Sequence, residues 1–412
     1  MQSAPLSPDS TNNASVRSLT AFRVPIALRS PVRHASHTRT STDTLIVRCE
    51  LSDGTVGWGE GLPRPYVTGE TIGSVWRHLE ASDYSPLFSA AITTVQSAVD
   101  AADSFRPANV IPDKGIDGRE CFGNSVRCAV ETAFLDASCR SLGKPFGAVA
   151  ECVPEAAPIL SRVDEVRYSG VVTSSVGLAQ IRAALKMRLF GFRSVKVKVG
   201  TAGIDDGGLL SRVRRICGKS VDLRLDANEA WSCSRVLENM EPLLKFKPSS
   251  LEQPVPHAFV NGLAAIRAQL PVPIMLDESL CCMEDAQRAV ENLTCDLFNL
   301  RLSKCGGILA CLRLAAFAAR NGLGWQLGCQ VGETGILSAA GRHFACNVSG
   351  IRYLEGSYDR FLVRDRLTNE DITFRYGGRA PRLTQPGLGV TIDEGQLRRL
   401  AVASSVVADA DA

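Results

Sequence analysis

From Val166 to Glu355 the chain alternates between short apolar runs of strand length and longer stretches whose apolar positions recur every three or four residues. The runs are Val166–Val172, Phe192–Gly200, four that reach Asp226, Glu252, Asp277 and Arg301, then Gly324–Cys329 and Gly350–Glu355. Eight strands are predicted from them. The stretches between include Leu178–Arg188 and Ile308–Ala319, which read as helices. Lys198, Asp226, Glu252, Asp277 and Arg301 close or nearly close five successive runs, at intervals of 28, 26, 25 and 24 residues. That spacing suits one strand, one helix and two short loops. Repeated in this way, with a charged residue closing each strand, it predicts a (β/α) barrel whose chemistry lies at the C-terminal ends of the strands.

Before Val166 the pattern is different. Phe22–Leu28 and Thr44–Leu51 are extended, and an Asp53-Gly54 turn leads into Val56–Glu60, a strong hairpin signal. The polar, basic Ser30–Arg39 reads as a loop long enough to act as a lid. Ile72 to Leu142 reads as helical, most clearly in Ser125–Arg140, which Gly143 stops and Pro145 keeps from resuming. Sheet followed by helices makes an α+β unit. After Asp359 the alternation ends, and Thr373–Tyr376 and Leu388–Ile392 read as short strands able to rejoin the N-terminal sheet. The expected organisation is a disordered leader over residues 1–18, an α+β domain over 19–155, the barrel over 156–358, and a C-terminal segment over 359–412 that returns to the α+β domain.

A chain of 412 residues accommodates a barrel of about 250 residues with a second domain beside it. The net charge of +3 and the lack of a Lys/Arg block argue against nucleic acid or an anionic membrane as partner. No apolar run of about eighteen residues spans a bilayer, and Met1–Asn13 lacks the charged start and apolar core of a signal peptide. Fourteen cysteines without a Cys-x-x-Cys pair read as buried thiols in a reducing cytoplasm, rather than as disulfides or a metal cluster. A cytoplasmic protein is expected.

Asp226, Glu252 and Asp277 end consecutive strands, so a closed barrel sets them side by side. One carboxylate there is as readily a helix N-cap. Three in close range oppose one another's ionisation, and a hard divalent cation relieves that repulsion. An all-oxygen set with room for water and substrate suits Mg²⁺, with Mn²⁺ as the alternative ion. Lys196 and Lys198 share one strand face, and a lysine beside a metal is depressed in pKa and prepared to take a proton. A Lys-x-Lys pair by itself is as readily a solvated edge.

These residues resemble the enolase superfamily, in its muconate-lactonizing (muconate cycloisomerase) subgroup. The resemblance runs through Gly57-Trp-Gly-Glu-Gly-Leu-Pro-Arg-Pro-Tyr-Val-Thr-Gly-Glu70, the Lys196-x-Lys198 pair, the three carboxylates, Lys304-Cys-Gly-Gly307 and Pro386-Gly-Leu-Gly-Val390. It implies a modified (β/α)₇β barrel under a capping domain, with Mg²⁺ held by Asp226, Glu252 and Asp277. It further implies that Lys198 removes the proton alpha to a metal-held carboxylate, giving a stabilised enolate, and that Lys196 tunes Lys198. Asn228 and Glu278 resemble supporting groups around the metal. Together with Tyr66, Glu355 and the lid residues His34 and His37, they are candidate substrate contacts. The partner is a small-molecule carboxylate, and a homo-oligomer is expected.

Where the subgroup's Lys-x-x-Lys-x-Gly-Gly pattern has its first lysine, this chain has Arg301, and Lys304 matches the second. Arginine does not act as a base near neutral pH. Racemases of the family use a lysine on each face, so Arg301 removes the second base unless Lys304 bends inward to replace it. Cycloisomerisation and dehydration run with one base. Glu333 is a candidate acid or substrate contact, and equally a carboxylate at a helix N-terminus. A muconate cycloisomerase-like isomerase is therefore the favoured expectation. Behind it stand an acid-sugar or hydroxy-acid dehydratase, an amino-acid or dipeptide epimerase, and a non-catalytic protein that binds metal and carboxylate. The Asp-x-Asp that dipeptide epimerases carry at the eighth strand is absent from Leu354–Asp359.

Overall fold

The structure, a computed structural model, describes residues 14–33, 38–173 and 177–410. Eight parallel strands follow one another in chain order around a single sheet: Gly170–Val172, Ser194–Lys198, Asp222–Asp226, Leu251–Glu252, Ile274–Leu276, Leu297–Leu300, Gly324–Leu327 and Ile351–Leu354. The Ser169 N–H donates to the Leu354 carbonyl at 2.8 Å, which brings the last strand back to the first. The strands are rich in apolar residues because helices cover the outside and side chains fill the inside; Val195, Val197, Leu223, Leu225, Ile274 and Phe298 are all buried, while Lys196 and Arg224 bring charge into the barrel.

The first barrel strand is shorter than the apolar run Val166–Val172. Glu165–Arg167 pairs antiparallel with Arg379–Pro381, and only Gly170–Val172 joins the barrel. The break falls at Tyr168, whose N–H goes to the Gly378 carbonyl at 2.8 Å. Gly378 has φ +72°, and a Cβ there would lie 2.1 Å from the Tyr168 oxygen, so only glycine permits the approach.

A four-stranded antiparallel sheet, ordered Ala403–Asp409, Val16–Arg33, Thr38–Leu51, Val56–Gly61, forms the second unit. Its first strand in chain order, Val16–Arg33, begins inside the stretch read as a leader and runs into the stretch read as a lid loop, whose last two residues open Thr38–Leu51; residues 34–37, His34 and His37 included, lie outside the described residues. The strand that returns from the C-terminus is Ala403–Asp409. Thr373–Tyr376 and Leu388–Ile392 form no strand, only an isolated bridge from Ile392 to Thr368. Their backbone groups are spent on loops that pack the barrel against the sheet, as in Leu388 N–H to Asp136 Oδ1 at 2.7 Å.

Gly57, Gly59 and Gly61 share one face of their strand, and helix Asn124–Ser141 lies directly on it. A Cβ at Gly59 would come within 1.8 Å of the Ala129 carbonyl oxygen, and one at Gly61 within 2.1 Å of that of Ser125. Gly59→Ala is therefore expected to destabilise the protein by about 3 kcal/mol or more, since backbone cannot yield as a side chain can; a thermal midpoint equal to the wild type's would contradict this packing. Between those glycines, Glu60 points the other way. It accepts from Thr334 N–H at 2.9 Å and Leu337 N–H at 3.1 Å, capping barrel helix Gly335–Asn347. Glu131 does the same for helix Ile308–Arg320 through Leu309 N–H at 3.2 Å. Two buried carboxylates thus fix the antiparallel unit over the mouth of the barrel.

Candidate active site

Parallel register sets the chemistry in a row. Lys198 is the Cα partner of Asp226, and Asp226 of Glu252. Asp277 follows the next strand, whose Met275 pairs with Glu252. All three carboxylates are essentially fully buried. Lys196, one residue pair below Lys198 on the same strand face, places its Nζ 3.2 Å from Asp226, 3.3 Å from Glu252 and 3.0 Å from Glu355. Burial opposes its charge, but Glu252, Glu355 and Asp226 outweigh that and hold its pKa well above the usual lysine value. Lys196 is a permanent cation.

Lys198 contrasts with it. Among the described residues its ammonium donates no hydrogen bond and joins no ion pair, and it faces a cavity of about 270 Å³. Burial, assisted by Lys196 and opposed by Asp226, keeps its pKa below the usual lysine value. Lys304 does not bend inward as a second base. Its buried Nζ donates to the Asp277 carbonyl at 2.6 Å, to Asp277 Oδ1 at 2.9 Å and to the Asn299 carbonyl at 2.8 Å. All three donors are used. It belongs to the short helix Leu302–Cys305 beyond the strand, for which Arg301 is the N-cap residue.

The carboxylates fit a divalent cation by donor chemistry: three buried oxygen donors at the mouth, with Glu252 pushed up to about 8 by burial and then by Asp226. Protein groups also meet these carboxylates. Arg301 contacts Asp277 Oδ2 and lies 3.8 Å from Glu252 Oε1. Asn299 donates to Glu252 Oε1 at 2.8 Å. Glu120, Cys282 and Asp285 also converge within 4.8 Å of one another, but Arg119 and Arg288 already pair with that set.

Around the cavity stand Asn228, whose Nδ2 lies 3.4 Å from Glu278 Oε1, and Tyr66, with the Arg39 guanidinium 5.9 Å from its ring centre. Glu355 reaches the cavity with both oxygens engaged, one by Lys196 and one by Arg224 at 2.9 Å. Glu333 lies behind the cavity wall. It accepts from Gln330 N–H at 2.6 Å, and burial pushes it up to about 8.

Three residues of the site carry no signal in the pattern of strand ends. Gln253, in the left-handed region at φ +35°, accepts from Asp277 N–H at 2.9 Å and donates to Ser279 Oγ at 2.7 Å, tying the loop of Glu252 to that of Asp277. Arg224 fills the barrel below Glu355, over the Tyr353 ring at 4.4 Å. Arg64, from the loop after Val56–Gly61, lines the cavity beside Val67 and Val331. For Gln253 the sequence does offer its place directly after a strand-end carboxylate.

A parallel barrel with a cationic lysine, a lysine unpaired among the described residues and three carboxylates at the strand ends has the parts that proton removal beside a carboxylate requires. Residues 179–396 match the family described as enolase C-terminal domain-like. The chain belongs to that family and so to the enolase superfamily, as an enzyme of its isomerase type, for which magnesium is typical. It is 27% identical to N-succinyl-L-Arg/Lys racemase of Bacillus cereus over 94% of this chain and 98% of the relative. The crystal structure of N-succinyl Arg/Lys racemase from Bacillus cereus superposes with a TM-score of 0.80 at 25% identity, covering 96% of this chain and 100% of the other. A hydrophobic dipeptide epimerase of Enterococcus faecalis is 29% identical over 78% of this chain and 84% of its own. Muconate cycloisomerase 1 of Pseudomonas putida is 27% identical over 91% and 94%. No described helix is long and apolar enough to cross a membrane.

Proposed function

We propose that this protein catalyses Mg²⁺-dependent abstraction of the proton alpha to a substrate carboxylate, with Lys198 as the one base, in a cycloisomerase-like isomerisation. The observation that carries the reading is the contrast among these lysines: Lys196 is locked to three carboxylates, Lys304 to three oxygens, and Lys198 reaches the cavity with no partner among the described residues. Asp226, Glu252 and Asp277 would hold the ion, which supplies positive charge to the substrate carboxylate and so acidifies the adjacent C–H.

The chain's own residues do the rest. Lys198 accepts the proton at Nζ, whose hold on a proton is weakened by burial and by the positive charge of Lys196. Arg301 supplies fixed charge and cannot return a proton from the other face. The engaged oxygens of Glu355 leave no free carboxylate there for a substrate ammonium, which weighs against a zwitterionic dipeptide even though dipeptide epimerases stand among the relatives.

Asp226→Asn tests the metal assignment. Isothermal titration with Mg²⁺ is expected to show affinity at least about 100-fold weaker than wild type, because one charged ligand is lost and the ion then meets less negative charge. Unchanged affinity would remove Asp226 from the ligand set.

A further inference from the structure

Cys305 and Cys311 are both buried, and their thiols stand in hydrogen-bonding contact. Neither takes part in the chemistry above. Cys305 ends the short helix Leu302–Cys305, and Cys311 lies near the start of helix Ile308–Arg320, with only Gly306 and Gly307 between the two helices. Those glycines have φ of +87° and +113°, a turn open to residues without a Cβ, and it carries one sulfur back to the other.

The pair is not sealed in the core. Cys305 forms part of the wall of a cleft of about 550 Å³ between the antiparallel unit and the barrel. That wall is charged as well as apolar: Arg106, Glu120 and Arg127 come from one unit, Glu284 and Arg313 from the other, and Cys282 lies among them. A small molecule in the cleft meets Cys305 with Cys311 already against it.

The sulfurs differ in readiness to react. Burial opposes ionisation of Cys305, but donation from the Cys311 thiol and the charge of Lys304 outweigh it and hold its pKa below the usual thiol value. Cys311 is held well above that value by burial and by Cys305, with Cys128 and Glu131 adding to the effect. Cys282, in the same cleft, is kept a thiol by burial and by Asp285. One ionisable thiol at the wall of a cleft, with a second thiol in contact, is the arrangement in which oxidation proceeds to a disulfide.

We propose that Cys305 and Cys311 are an oxidation site for hydrogen peroxide admitted by this cleft, and that their disulfide loosens the metal site through Lys304. The Cys305 thiolate attacks one peroxide oxygen: the S–O bond forms, the O–O bond breaks, and hydroxide leaves and is protonated to water. The Cys311 sulfur then attacks that of Cys305, its proton passing to the departing oxygen; the S–S bond forms, the S–O bond breaks, and a second water leaves. The dithiol gives up two electrons and peroxide takes them. Closing the bond draws the sulfurs to about 2.05 Å. Glu131 holds the start of the longer helix, so the four-residue helix is the one that shifts. Lys304, next to Cys305, donates from that helix to the Asp277 carbonyl and Oδ1. The effect on the metal rests on the reading of Asp277 as a ligand; the oxidation does not.

The test treats the reduced full chain with hydrogen peroxide, alkylates the remaining thiols under denaturing conditions, and maps tryptic peptides without reduction. Trypsin releases Cys305–Arg313, which holds both cysteines and no other. This peptide is expected unalkylated and lighter by two hydrogens. Its recovery with both thiols alkylated, whatever the other cysteines do, would overturn the proposal, and this comparison needs no variant to fold. Cys311→Ser is expected to stop at a sulfenic acid on Cys305 that dimedone captures, and Cys305→Ser to leave Cys311 alkylated; capture on Cys311 would overturn the assignment of the attacking sulfur. By calorimetry, Mg²⁺ affinity of the oxidised wild type is expected about 10-fold or more below that of the reduced protein and restored by dithiothreitol. Equal affinity in both forms would overturn the link through Lys304. Absence of Mg²⁺ binding by the reduced protein would instead contradict the metal-site reading and leave the mapped disulfide to decide the oxidation, so the two failures are distinct.

Discussion

Lys198→Ala is expected to lower kcat by about 10²- to 10⁴-fold, the range that a positioned general base contributes. Stability is expected to hold or rise, because the amine has no partner among the described residues to lose and burial opposes its charge. Mg²⁺ affinity should change little. The same substitution at Lys196 separates the two lysines: it strips a shared cation from Asp226, Glu252 and Glu355 and should damage both stability and activity. Steady-state kinetics beside thermal denaturation checks both. Activity retained in Lys198→Ala would remove that residue from its role, whatever Lys196 does.

Glu355→Ala is expected to destabilise the protein by about 3–5 kcal/mol, the cost of leaving buried charges without their partner. Glu355 is held well below the usual carboxylate range, at about 2, by Lys196, Arg224 and Arg301 acting against burial. Arg224 is completely buried, and its Nε and Nη2 already lack partners among the described residues, so its bonds to Glu355 and Gln326 carry its satisfaction. Chemical denaturation should show the loss, and Arg224→Met added to Glu355→Ala should recover part of it by removing the orphaned charge. The competing possibility, that Glu355 holds a substrate ammonium, predicts near-wild-type stability with a raised KM.

Much of the barrel is legible in the sequence because parallel strands are buried on both faces and rich in apolar residues, which makes charges at their ends conspicuous. Lys198, Asp226, Glu252, Asp277 and Arg301 stand out for that reason, and the row they form in the structure follows from strand register alone. The first strand is an exception. Val166–Val172 reads as one β-prone stretch, and the pairing of Glu165–Arg167 with Arg379–Pro381, more than two hundred residues away, divides it. The returning strand Ala403–Asp409 is edge-exposed, with two serines and no clean alternation, so its pairing with Val16–Arg33 leaves little trace in its composition.

Arg64 and Gln253 illustrate a different limit. Each sits in a loop of Pro, Gly and polar residues, where local sequence specifies a turn and not the direction of a side chain. Arg64 stands between two prolines, and its buried guanidinium meets the carbonyl of Val331, more than two hundred residues away in sequence. The glycines at 57, 59 and 61 show the reverse case. Their spacing of two already places them on one strand face, and the helix backbone packed there explains why no side chain stands at any of them.

The central claim is that Lys198 removes a proton alpha to a carboxylate, and isotope exchange tests it most directly. The protein is incubated with Mg²⁺ and a pool of small mono- and dicarboxylic acids in D₂O, with Lys198→Ala in parallel, and the pool is read by mass spectrometry. Incorporation of one deuterium into an acid, or into its isomer, by wild type and not by the variant is the predicted result. Incorporation that persists unchanged in Lys198→Ala would contradict it.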